Sequence, residues 1–138
     1  MFSIDHRGNQ YPEGAHIQIR RRYGIDHHGI VAGGRVATLG PVMLIDNAKA
    51  DGVSRRTLEE VAAGDPVEVV ARPQSAAHAN HIVERAYSQI GKRYDLFSRN
   101  CEHFAHWCYD ERPRSPQLQG FAVLAAVVVG LVILSKSR

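Results

Sequence analysis

One cysteine stands where thiols become nucleophiles, in the run Asn100-Cys101-Glu102-His103-Phe104. A cysteine in the first turn of a helix lies among backbone N–H groups that have no intrahelical acceptor. The positive end of the helix dipole favours thiolate over thiol there and lowers the pKa from about 8.5. The same amides can stabilise an oxyanion formed when sulfur attacks a carbonyl. A buried structural cysteine opening a core helix is the plainer alternative.

The elements that must position this thiol follow from chain chemistry. Asn100 or Ser98 can cap a helix, Glu102 supplies first-turn negative charge, and Phe104, Trp107 and Cys108 recur at helical spacing, with an end expected before Pro113. A longer helix is expected from Ser75 to Ile90, capped near Ser75 and stopped at Gly91. Residues 54–64 read as a short helix or turn ended by Gly64. Alternation in His16-Ile17-Gln18-Ile19-Arg20 and the apolar runs at 29–32, 35–39, 42–45 and 66–70 predict short antiparallel strands. The sum is a small α+β domain.

The segment from Ala86 through Gly91-Lys92-Arg93-Tyr94-Asp95-Leu96-Phe97-Ser98 to Phe104 closely resembles the signature of the lecithin:retinol acyltransferase family, which includes the H-Ras-like suppressor phospholipase/acyltransferases. Upstream, residues 11–19 resemble that family's opening strand, and His27-His28-Gly29-Ile30-Val31-Ala32-Gly33 resembles its histidine strand. The resemblance covers about residues 11 to 110, with the motifs in the family's order. It implies a circularly permuted papain-like (NlpC-type) fold, a small antiparallel β-sheet packed on helices, in which the histidine strand precedes the cysteine helix.

On that match Cys101 is the nucleophile and His27 the general base. An imidazole near its ordinary pKa of about 6.5 can take the thiol proton and later return it. His28 is the rival, and because strand side chains alternate, only one of the two can face the thiol. The family carries a third polar residue, a histidine about a dozen positions on, that orients the base. Gly34-Arg35-Val36-Ala37-Thr38-Leu39 resembles that segment and puts Thr38 in its place. A threonine hydroxyl can hydrogen-bond an imidazole but stabilises imidazolium less well than a charged partner.

Composition allows one core of ordinary size: 138 residues, 44% apolar, with a net charge of +3. The basic residues are spread out and lack interleaved aromatics, which argues against nucleic acid as a partner. Arg20-Arg21-Arg22 is the densest cluster, either a solvated turn or a contact for phospholipid headgroups. From Gly120 to Leu134 no residue is charged. As a helix this run spans roughly 22 Å, and flanking Leu118, Gln119 and Ser135 extend it toward the roughly 30 Å of a bilayer core. The expected organisation is a thiol domain over residues 1–111, a linker over 112–117 and a C-terminal hydrophobic helix over 118–138 acting as a single-pass membrane anchor. The N-terminus has no apolar signal region, so the domain is expected to face the cytosol.

Cys101 and Cys108 on one helix lie about 10.5 Å apart along its axis, beyond disulfide reach. The set Cys101, His103, His106 and Cys108 matches no zinc spacing, and neither metal nor organic cofactor is expected. The resemblance implies a membrane-anchored lipid acyltransferase or phospholipase A, working through a cysteine thioester on a glycerophospholipid. Two alternatives stand beside it: a thiol peptidase or amidase of the same fold, and a weakly active membrane-tethered interaction protein, the latter suggested by Thr38.

Overall fold

The computed structural model describes residues 2–33, 40–93 and 100–110. A short hairpin comes first, β1 (Phe2–Ile4) against β2 (Gln10–Pro12). Its turn is tied by Asp5, whose carboxylate accepts from the amides of Arg7 and Asn9 at 2.9 and 2.8 Å. The main sheet follows from β3 (His16–Ile19), β4 (His27–Val31), β5 (Met43–Ala48), β6 (Gly52–Thr57) and β7 (Val67–Ala71). All neighbours are antiparallel, in the order β6-β5-β4-β3-β7.

Period-two alternation gives the sheet two apolar faces. Ile17, Ile19, Val31 and Leu44 face helix α1 (Leu58–Ala62) and pack with Leu58 and Val61. Ile30, Ala32, Ile45 and Val53 face the other way, toward Ile82 and Ala86 of α2 (Ala76–Ser88) and Phe104, Ala105 and Cys108 of α3 (Asn100–Tyr109). Gly29 of β4 is required by close approach, since a Cβ there would lie 2.7 Å from the Leu44 side chain. Gly52 opens β6 at φ +68, beside the Lys92 carbonyl, which accepts from the Val53 amide at 3.1 Å.

Helices α1 and α2 begin where chemistry provides a cap. Ser75 Oγ accepts from the His78 amide at 3.0 Å to start α2, as its sequence suggests. Thr57 does the same for α1 through the Glu60 amide, and Ala63 and Gly64, both at positive φ, end it. Residues 54–57, read from sequence as part of a helix or turn, are instead the last four residues of β6. They pair with Met43–Asp46, and this lateral pairing outweighs local helix preference. The strand expected at 35–39 and the hydrophobic helix and anchor expected over 118–138 fall outside the described residues. Among the described residues no helix is long and apolar enough to cross a membrane.

Helix α3 packs on β4, β5 and α2. Its last residue staples it to the sheet edge: the Tyr109 hydroxyl accepts from the His16 amide at 3.1 Å and lies 2.7 and 3.0 Å from the carbonyl oxygens of Gly14 and Ala71. Its first turn is thereby aimed at the start of β4.

Candidate active site

Cys101 is the second residue of α3 and is only 7% exposed. The start of β4 runs past its sulfur. The Asp26 carbonyl is 4.0 Å from Sγ, and the backbone N–H of His28 donates to the sulfur. The His27 imidazole is hydrogen-bonded to the same sulfur. The sheet thus brings His27 and Cys101 together across 74 residues of chain and assigns His28 a different task. The ring of His28 turns to His16, with Nδ1 and Nε2 at 2.8 Å, and only its amide addresses the thiol.

On the far side of His27 stands a residue that the sequence alone does not single out. Asp46 lies on β5, in register with Gly29, and its Oδ2 accepts from His27 Nε2 at 2.5 Å. The carboxylate is fully buried. The guanidinium of Arg56, on the next strand, also donates to Asp46 Oδ2 at 2.5 Å. A buried carboxylate is tolerable only when paired in this way, and Arg56 with His27 supplies the pairing. Thr38, given the orienting role by resemblance, lies outside the described residues; among the described residues it is Asp46 whose carboxylate holds the imidazole. The third polar group sits 19 positions after His27 rather than a dozen, on β5, which begins at Met43. A signal was present in the sequence: Asp46 interrupts the apolar run Met43-Leu44-Ile45, and a carboxylate inside a buried strand demands a partner.

Electrostatics separate the two reacting groups in the useful direction. Burial pulls the His27 pKa down, but the hydrogen bonds the ring donates to Asp46 and Cys101, with their negative charge, outweigh this and push it up to about 9. Burial also opposes ionisation of Cys101. The hydrogen bond from His27 and the amides of His28 and Glu102 more than offset this, and the thiol pKa falls below its ordinary value. Each group stabilises the charged form of the other, so the arrangement favours a thiolate–imidazolium pair. With His27 Nε2 held by Asp46, the second ring nitrogen is left for the sulfur.

The remaining candidates are placed elsewhere. His103 and His106 are exposed on α3, and His106 stands 3.6 Å from Glu102. Cys108 is a free, fully buried thiol inside the core, as Cys101 is free at its edge. Among the described residues no three His, Cys, Asp or Glu side chains are grouped so that they could hold a metal ion. A cavity of about 1050 Å³, lined by residues including Phe2, Tyr11, Val42, Leu58 and Val67, belongs to the α1 side of the sheet and has neither Cys101 nor His27 in its wall.

An antiparallel sheet that presents a histidine strand before a cysteine helix, with imidazole, thiol and carboxylate in one hydrogen-bonded line, defines the class of thiol-bearing α+β domains. Within that class, the family model described as lecithin retinol acyltransferase matches residues 9–114, and the chain belongs to this family, which is of acyltransferase and phospholipase type. A comparison with curated proteins finds no match.

Proposed function

We propose that the protein is a lipid acyltransferase or phospholipase A acting on glycerophospholipids through an acyl-cysteine intermediate. The observation that carries this reading is the placement of His27 between the Cys101 sulfur and the buried Asp46 carboxylate. The Cys101 thiolate attacks the ester carbonyl carbon, and the carbonyl π pair moves to oxygen. Backbone amides at the start of α3 are the natural donors to that oxyanion. On collapse the C–O bond of the ester breaks, and the leaving alkoxide takes the proton held by His27. The products of this half are a lysophospholipid and a thioester. His27, now neutral, removes a proton from water or from an amine or alcohol acceptor, which attacks the thioester and restores the thiolate–imidazolium pair.

Asp46 holds the ring and offsets its positive charge. With a carboxylate in that position, Thr38 is no longer a reason to favour an inactive interaction protein. The apolar segment 118–138 would tether the domain to its substrate's membrane, with the domain on the cytosolic side, and so raise the effective substrate concentration.

The test is mass spectrometry of the full chain after incubation with a defined phosphatidylcholine. An acyl adduct on Cys101 is expected in the wild type, absent in Cys101→Ala and slower to form in His27→Ala. Absence of both adduct and lysolipid in the wild type overturns the proposal.

A further inference from the structure

The connection between β3 and β4 ends in a tip whose composition the mechanism leaves unused. It runs from Arg20 to Asp26, and Asp26 closes its base by accepting from the Gln18 side chain at 2.8 Å and the Arg21 amide at 3.0 Å. Within the tip Tyr23 is 87% exposed and Ile25 66%, against 49% or less for other exposed large apolar side chains among the described residues. Gly24 between them is at φ +97, which turns the chain tightly and leaves both side chains projecting. The next residues along the chain are Asp26, whose carbonyl faces the Cys101 sulfur, and His27.

The charge at the tip is selective. Arg21 is committed to Asp65 and to the Ala62 carbonyl, both at 3.2 Å, and Arg20 to Glu68 at 3.0 Å. Arg22, exposed next to Tyr23, has no ion-pair partner among the described residues. The Arg20–Glu68 pair is solvent-exposed and weak enough in water for Arg20 to exchange its carboxylate for a phosphate. An unpaired cation beside a projecting tyrosine and isoleucine matches a layered partner, negative at its surface and apolar a few ångströms deeper.

We propose that the Arg22-Tyr23-Gly24-Ile25 tip docks on an anionic phospholipid surface. Tyr23 and Ile25 enter the headgroup layer, Arg22 engages phosphate, and the Cys101–His27 pair is held at the height of the ester linkages. The proposal rests on the lipid-substrate reading and assigns it a surface. It separates the docking element from the C-terminal segment: the segment would keep the domain near a membrane, and the tip would set its orientation.

Insertion is read directly by replacing Tyr23 with tryptophan in a Trp107→Phe background, leaving one indole in the chain, and adding phosphatidylcholine/phosphatidylserine vesicles that carry brominated acyl chains. Quenching of that indole is expected, weaker with vesicles of phosphatidylcholine alone and weaker still after Arg22→Glu. An unquenched indole overturns the proposal. In a second arm, the ratio of turnover on vesicles to turnover on a monomeric short-chain phosphatidylcholine is compared between wild type and Tyr23→Ser/Ile25→Ser. A fall of about tenfold or more in that ratio supports docking, and an unchanged ratio overturns it. The two ideas fail separately: quenching without turnover of any ester defeats the lipid-enzyme reading and leaves the docking surface standing, whereas turnover without quenching does the reverse.

Discussion

The two ends of α3 carry the same side chain in opposite states. Cys108, in the last turn, is fully buried among Ile82, Ala86, Phe104 and Ala105, and desolvation pushes its pKa up to about 12. Cys101, in the first turn, is nearly as buried, yet its pKa is lowered. Burial acts on both in the same direction. What differs is the company: Cys101 has an imidazole, the His28 amide and the unsatisfied N–H groups of a helix start, whereas Cys108 has hydrocarbon, with the Arg85 charge as a weak counterweight. Exposure alone therefore does not tell a reactive thiol from an inert one; the donors aimed at the sulfur do.

The sharpest test of this contrast is differential alkylation of the native protein at neutral pH. Cys101 should react on the order of a thousandfold faster than Cys108, since rate follows thiolate fraction and access. Peptide mass mapping after timed quenching measures both rates, and equal labelling would erase the distinction.

Breaking the comparison from the histidine side should have the next largest effect. Asp46→Asn removes the charge behind His27, so its pKa falls back toward 6.5 and the thiolate loses its counter-ion. Turnover should fall by roughly 10²–10⁴-fold, the scale seen when the acidic member of such a triad is neutralised. In the wild type the imidazolium is lost as pH rises through about 9, and activity should decline along the same limb. In Asp46→Asn that limb moves to lower pH, and a pH–rate profile reads the displacement. Stability follows the same sign. A histidine pKa raised by folding contributes stability that is fully present below its unfolded value of about 6.5 and is lost as pH climbs through about 9. Denaturant midpoints should fall over that window, and less so in His27→Gln.

The smallest effect is expected at the other end of the helix. Cys108→Ser places a hydroxyl in an apolar cluster and should cost about 1–3 kcal/mol in urea unfolding, while leaving the alkylation rate at Cys101 unchanged.

Much of this arrangement is legible in the sequence because it is local. Cys101 beside a first-turn glutamate marks a helix start, Ser75 marks another, and alternation marks β3. His27 becomes legible once the order of histidine strand and cysteine helix is recognised. Asp46 and β6 are not legible in this way, since both depend on pairing across strands. Asp46 comes into line with His27 only through the register Gly29↔Asp46, and Ser54–Thr57 becomes strand only because Met43–Asp46 lies beside it. Counting along the chain reveals no such cross-strand register, and it is the register that carries Asp46 to the imidazole. The His16–His28 pair has the same origin. His16 and His28 are 12 residues apart and meet because β3 and β4 are neighbours, and His16, pushed down to about 4 by burial and by the nearby His28 and His106, stays neutral there.

The Tyr109 hydroxyl has a consequence for the order in which the molecule comes apart. It joins α3 to Gly14, His16 and Ala71, contacts that span 95, 93 and 38 residues of chain. Closing such long loops is slow and entropically costly, so the helix carrying the thiol should be among the last elements to dock and the first to detach. Partial undocking of α3 would carry Cys101 away from His27 while β3 to β6 remain paired. Loss of thiol reactivity should then precede loss of the sheet on heating, with the amides of α3 exchanging hydrogen ahead of those in β4 and β5.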